Sequence, residues 1–218
     1  MIKRPSIDDL SGIIASVTPD HTSKLIAAGS YNGQFALFDK DVRSKAAFAG
    51  RVPRPGGITQ MVFSECGTRL FIGTRSSTEL TCWDVRFKRK DPLFSIPRRC
   101  TNNQRLQFSV WKDVHTGLEY VASGESKSNQ IVVYETMGDM PVPVESNMEF
   151  ESTVNGVDVH CESGLMAIST GSRRISSNFD ADSSSDDSDL EHDDSRHDRK
   201  RAKQEVQCNK LHLLKIAA

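Results

Sequence analysis

No stretch of this chain approaches the ~20 consecutive apolar residues that a membrane helix needs, so no membrane partner is expected. Behind the charged start Met1-Ile2-Lys3-Arg4-Pro5 there is no apolar segment of the kind a secretory leader carries, and a leader is not expected either. Cysteine is sparse. Cys66, Cys82, Cys100, Cys161 and Cys208 form an odd set without CxxC spacing, which argues against a disulfide framework and for a reducing compartment. The six histidines (His21, His115, His160, His192, His197 and His212) make no HxH, HxxxH or HExxH pair, and no Gly-rich phosphate loop or Gly-x-Ser-x-Gly elbow is present. His192 and His197 stand among carboxylates without a preorganised frame, and His160-Cys161-Glu162 reads as a turn. Catalysis, a metal, a cofactor and a small-molecule substrate are therefore not expected. Tryptophan is limited to Trp83 and Trp111, both in segments that read as strands.

Short strands are abundant. Residues 58–86 resolve into three of them, punctuated at Cys66-Gly67 and Ser76-Ser77 and ending in Trp83-Asp84. Ile58, Met61 and Phe63, then Leu70, Ile72 and Thr74, then Leu80, Cys82 and Asp84 roughly alternate with residues expected to face outward. Pro92–Ile96 supplies a fourth strand. This is the sequence of one WD-repeat propeller blade. A lone Trp-Asp pair is weak evidence, but the unit recurs. Ala27-Ala28-Gly29-Ser30, Phe71-Ile72-Gly73-Thr74, Val121-Ala122-Ser123-Gly124 and Ala167-Ile168-Ser169-Thr170 are four versions of one second strand. The aromatic-acid ending recurs at Phe38-Asp39, Trp83-Asp84 and Tyr134-Glu135. An aromatic there packs between neighbouring sheets, and the acid accepts a turn hydrogen bond.

The fold class expected is all-β, a WD40-type β-propeller present as a partial array of about four blades within residues 1–175. The blades fall at about 11–50, 56–97, 101–150 and 154–175, the last completed by residues 209–216 in a returning segment 208–218. Four blades are too few for a usual ring, and the last lacks a fourth strand. Both missing pieces belong on the N-terminal side, so a fragment or shortened isoform is expected.

The formal net charge of −1 conceals two opposite regions. Residues 180–198 hold nine acids against Arg196 alone; the remainder has 27 basic and 20 acidic residues, a net of +7. A basic body with an acidic tether suits a nucleic-acid binder. The densest basic stretch is Arg86, Lys88, Arg89, Lys90, Arg98, Arg99 and Arg105, against Asp91 alone. With Leu93–Ile96 as an outer strand, Phe87–Asp91 and Arg98–Gln104 are turns at its two ends and lie on opposite faces of the disc. The loop that enters a blade's inner strand opens on the usual ligand face, which favours Arg98, Arg99, Asn102, Asn103, Gln104 and Arg105. Guanidinium groups pair with phosphates and amides read base edges. The alternative is a solvated turn whose asparagines satisfy backbone groups.

The runs Ser11-Gly12-Ile13-Ile14, Ala28-Gly29-Ser30-Tyr31, Gly56-Gly57-Ile58-Thr59, Glu79-Leu80-Thr81-Cys82-Trp83-Asp84-Val85-Arg86, Thr101-Asn102-Asn103-Gln104-Arg105 and Asn155-Gly156-Val157 resemble the telomerase Cajal body protein family, in order from about residue 4 to 175. The resemblance implies a seven-bladed propeller, of which this chain matches the C-terminal four blades. It also implies a non-catalytic scaffold in the nucleus that recognises a loop motif in small guide RNAs, telomerase RNA among the family's clients, and brings the particle and its RNP proteins to Cajal bodies. The chain departs from the family's pattern in Arg51-Val52-Pro53-Arg54-Pro55, which replaces a Gly-His turn, and in its acidic insertion. Carried over residue by residue, Arg75 follows the second-blade Gly-Thr, and Asn103, Gln104 and Arg105 match the family's Asn-Gln-Arg. Arg75 either contacts RNA or braces the blade interface through a neighbouring acid. Tyr31 either stacks on an unpaired base or serves the ordinary turn chemistry of a Tyr-Asn-Gly hairpin. A WD-repeat platform that binds only proteins is the competing function.

Residues 176–207 are nearly devoid of apolar side chains and are expected to be a disordered insertion, since a strand-like Leu211–Ile216 follows. Ser183, Ser184 and Ser188 each precede an acid by three residues (Asp186, Asp187, Glu191) and suit acid-directed kinases. Arg199-Lys200-Arg201-Ala202-Lys203 reads as a nuclear import signal or as counter-charge to the acids. The insertion joins the second and third strands of the last blade, on the same expected face as Arg98–Arg105, and is expected to compete with RNA. Deleting residues 178–198 should then raise RNA affinity in a binding titration; an unchanged affinity and salt slope would rule the competition out.

Overall fold

The computed structural model of the chain describes residues 10–22, 24–39, 46–54, 56–87, 89–101, 105–126, 128–144, 148–171 and 209–216. They form fifteen strands in four antiparallel sheets, each sheet taking its strands in chain order. The first holds β1 (Ile14–Pro19), β2 (Leu25–Ser30), β3 (Gln34–Asp39) and β4 (Ala46–Arg51). The second holds β5 (Ile58–Phe63), β6 (Arg69–Thr74), β7 (Glu79–Asp84) and β8 (Phe94–Pro97). The third holds β9 (Phe108–Lys112), β10 (Glu119–Gly124), β11 (Ile131–Glu135) and β12 (Val142–Val144). The fourth, among the described residues, holds β13 (Val154–His160), β14 (Leu165–Thr170) and β15 (Lys210–Lys215). The chain is all-β, and its sheets are arranged like propeller blades. The expected acidic insertion and the serines and basic run within it lie outside the described residues.

Local chemistry sets the strand ends. Gly67, at φ +69°, closes the β5–β6 turn, where its amide donates to the Ser64 carbonyl at 2.9 Å; glycine occupies this left-handed region without strain. Near the start of three inner strands the register shifts, between Ile14 and Ser16, Ile58 and Gln60, and Val154 and Gly156. The repeated bulge increases the local twist at the same point of each unit.

The expected alternation of buried and outward-facing positions is corrected in the second sheet, where both faces are buried. Ile58, Met61, Phe63, Leu70, Ile72 and Trp83 pack with Ala27, Phe35, Leu37 and Val52 of the first blade. The alternate residues Phe71, Leu80, Cys82, Phe94 and Ile96 pack with Phe108 and Val121 of the third. A third cluster joins Trp111, Ala122, Ile131 and Val133 to Val154, Val157, Met166 and Ile168. The core is thus three apolar layers between four sheets. Neighbouring inner strands lie against one another, β1 with β5, β5 with β9 and β9 with β13. Polar clasps cross each layer. Met61 N–H donates to Ser16 Oγ at 3.1 Å, Gln60 exchanges bonds of 2.7 and 2.9 Å with the backbone of Phe108, and Ser109 Oγ donates to Asp158 at 3.1 Å. The outer face of the first sheet leaves Ile14, Val17 and Ile26 exposed, and the fourth leaves Leu165, Leu211 and Leu213 exposed.

The Trp83-Asp84 ending works as the sequence suggests. The indole packs edge-on against Phe35 of the first blade, with centroids 4.9 Å apart, and its Nε1–H reaches Thr81 Oγ1 at 3.1 Å. Asp84 accepts the Arg86 amide at 3.0 Å and also its guanidinium, Nε at 3.0 Å and Nη2 at 2.6 Å. The Arg86 side-chain bonds, followed by its amide and its charge, hold the Asp84 carboxyl below its ordinary range against the opposing effect of burial. A depressed folded-state value means this stabilisation is present above the unfolded carboxylate pKa of about 3.9 and is lost as pH falls through the folded value. Asp84→Asn is expected to lower stability near neutral pH and to flatten the acid limb of an unfolding series followed by circular dichroism.

Candidate nucleic-acid interface

The strand order puts one set of connections on a single face. The β2–β3, β6–β7 and β10–β11 hairpins meet there with the crossings β4–β5, β8–β9 and β12–β13. The chain leaves β14 for residues 172–208 at Gly171 on this face, where the Gly171 amide donates to the Thr153 carbonyl at 3.0 Å.

Two candidate residues, drawn from different blades, meet here. Arg75 Nη2 donates to the Tyr31 hydroxyl at 3.0 Å, and its guanidinium carbon lies 5.0 Å from the Tyr31 ring centroid. Arg75 therefore bridges the first two blades, through a tyrosine where an acid was the expected partner. The contact depends on two glycines. A Cβ on Gly57 would stand 2.5 Å from Tyr31 Cδ1, and one on Gly56 would stand 2.7 Å from the Arg75 carbonyl oxygen. Opposite them, Ser76 adopts φ +48°, a left-handed conformation uncommon for a residue with a Cβ. Tyr31 remains 39% exposed, so part of its surface is open to a ligand. Arg75 Nε is buried without a hydrogen-bond partner.

Arg98 requires a correction. It is 1% exposed and so is not a surface contact for RNA. Its Nη1 donates to the Leu106 carbonyl at 3.2 Å and Ser123 Oγ at 3.4 Å, and its Nη2 donates to the Thr74 carbonyl at 3.3 Å. The fork of the guanidinium suits this task, because it reaches acceptors on β6, on β10 and on the crossing between them. Burial lowers the pKa of Arg98 from its very high starting value, and the side chain keeps its charge. The backbone of the same crossing is fixed as well. Arg98 N–H donates to Thr78 O at 2.8 Å, and Arg99 N–H donates to Glu125 at 3.2 Å, while Arg99 O accepts from Ser126 N–H and Oγ–H at 2.9 Å each. Arg99 and Arg105 are exposed. Asn103 and Gln104 lie outside the described residues.

Arg51 and Arg54, within the Arg51–Pro55 departure from the family's turn, join the face. Arg51 Nη1 donates to Asn32 O at 3.1 Å, and Arg54 pairs with Glu79 at 3.3 Å and with Thr78 Oγ1 at 3.2 Å. Their position was available in the sequence, since the crossing that carries them is of the same kind as the one carrying Arg98–Arg105. The face thus presents Arg51, Arg54, Arg75, Arg99 and Arg105 beside a half-open tyrosine. It can pair with phosphates and stack on a base.

No family model matches the chain. Telomerase Cajal body protein 1 of Homo sapiens is 35% identical to it over 167 residues, which are 75% of this chain and 29% of that protein. The Bos taurus protein gives the same figures, and that of Mus musculus is 32% identical over 168 residues. The chain spans under a third of the length of these curated relatives. Among solved structures, the Cps50 (Swd1) β-propeller domain of Myceliophteria thermophila superposes with a TM-score of 0.56 over 74% of this chain and 49% of that one, at 16% identity. That likeness is one of fold, and it makes the sheets a WD40-type array.

Removing the buried fork takes this donor from the Thr74 and Leu106 carbonyls, while Ser123 Oγ keeps its bond to Gly124 O; the cost is about 1–3 kcal/mol for each group that is left dry and unpaired. Arg98→Ala is expected to destabilise the chain by about 2–5 kcal/mol in urea titration, whereas Arg99→Ala, an exposed side chain, should stay within about 0.5 kcal/mol.

Proposed function

We propose that this chain, a homologue of part of telomerase Cajal body protein 1, is a non-catalytic RNA-binding scaffold. Its clients are small Cajal-body guide RNAs, with telomerase RNA as a further one, held together with RNP proteins in the Cajal bodies of the nucleus. The observation that carries this reading is the loop face, which bears both the Tyr31–Arg75 contact and the exposed Arg99 and Arg105.

The contact prepares the site. Arg75 holds the phenol ring in place before any ligand arrives, so less side-chain freedom is lost on binding. An unpaired base stacks on the open part of Tyr31, worth ~1–3 kcal/mol in single-strand binders. Arg99 and Arg105 meet phosphates, each with a fork suited to two oxygens. The rigid sheets beneath keep these groups in register across blades.

A platform that binds only proteins is the second reading, and it would be anchored by large aromatic hot spots. Trp83 and Trp111 are 3% and 6% exposed, so neither is open to a partner. That favours RNA. Arg75→Ala is expected to weaken RNA binding by loosening the Tyr31 ring, and Arg105→Ala to weaken it and to lower the magnitude of the salt slope by about one. Crosslinking and sequencing of RNA bound in cells should recover small guide RNAs that share a loop motif; a folded chain that recovers none would shift the reading to the protein platform.

A further inference from the structure

The opposite face of the second blade carries a basic aromatic group that the reading above leaves unused. After β7 ends at Asp84, the chain runs through Arg86, Phe87, Arg89 and Lys90 before β8. Phe87 is 54% exposed, although phenylalanine is among the residues most often buried. Two cations flank it, the guanidinium carbon of Arg86 at 5.4 Å and that of Arg89 at 5.7 Å from the ring centroid. Arg86 is set in place by its three bonds to Asp84, yet its side chain is still 61% exposed. Arg89 and Lys90 are exposed too, and Asp91 is the one further carboxylate within this turn. The group is therefore an exposed, positively charged surface around an aromatic ring, with Arg86 held by the acid of the Trp83-Asp84 ending.

We infer that Arg86, Phe87, Arg89 and Lys90 form a second contact for single-stranded RNA, on the face opposite Arg75. A single strand alternates flat rings with negative charges, and this group offers the complement of both. Bases stack against the ring and guanidinium planes, and phosphates meet Arg89 and Lys90. An acidic peptide would satisfy the cations alone and leave the exposed ring without a partner. The inference rests on the RNA-binding reading and extends it. β7 joins the two faces, and its six residues span ~20 Å, so an RNA strand passing over the outer strand β8 reaches both ends of one blade.

The test uses the full 218-residue chain, a labelled short oligouridylate and a salt series, with circular dichroism melts confirming that each variant is folded. Phe87→Ala is expected to weaken binding about tenfold, within the range of one lost stack. Arg89→Glu with Lys90→Glu is expected to reduce the magnitude of the salt slope by about 1.4, at ~0.7 for each phosphate of a single strand. The pair Arg75→Ala and Arg105→Ala forms a separate arm. If that pair weakens binding while the Phe87 and Arg89/Lys90 variants bind like the parent, the second contact is refuted and the loop-face reading stands. If only the Phe87 and Arg89/Lys90 variants weaken it, the second contact stands and the loop-face reading fails. Loss of poly-glutamate binding without loss of oligouridylate binding would make the group a protein site and overturn the inference, as would a parent chain that binds no oligouridylate.

Discussion

Every interior sheet of this chain is apolar on both faces, and no single blade can bury both. Phe71 and Ile72 are adjacent residues of one strand, yet they belong to different cores. The only way to remove both from water is to place a sheet on each side. Stacking of consecutive blades is therefore the condition under which any interior blade is stable, and the loop faces exist because the stack holds their hairpins in place. The clasps through Ser16, Gln60 and Ser109 then choose one relative position of neighbouring sheets, which apolar contact by itself leaves loose. The same condition is unmet, among the described residues, at Ile14, Val17, Leu211 and Leu213, which stay exposed on the first and fourth sheets.

Much of this architecture was legible because its signals are local. The small-residue second strands, the aromatic-acid endings and the turn residues recur blade by blade, and the strands and endings fall where β2, β6, β10 and β14 or the ends of β3, β7 and β11 lie. The expected fourth strand of the second blade is displaced slightly, to Phe94–Pro97. The pattern of burial was less legible. Alternation along a strand tells two faces apart, but it does not say whether the second face meets water or another sheet.

The candidate site divides along the same line. Arg99 and Arg105 are exposed as a polar turn suggests. Arg98, next in sequence, is buried because three acceptors from distant segments converge on its fork, and no local signal separates it from Arg99. The Arg75–Tyr31 contact joins residues 44 positions apart. Each was visible singly through its turn, but the pairing arises from the packing of the first blade on the second. Arg51 and Arg54 take their places through Asn32, Thr78 and Glu79, partners 19 to 25 positions away that no local pattern announces.

Arg98 does not lose its importance by being buried. It is a full positive charge in a region of low polarisability, hydrogen-bonded to neutral acceptors and close beneath the loop face. Water screens such a charge poorly. At an effective dielectric of about 20, a unit anion ~10 Å away is attracted by roughly 1–2 kcal/mol. The residue thus adds to the positive potential above the face without reaching its surface.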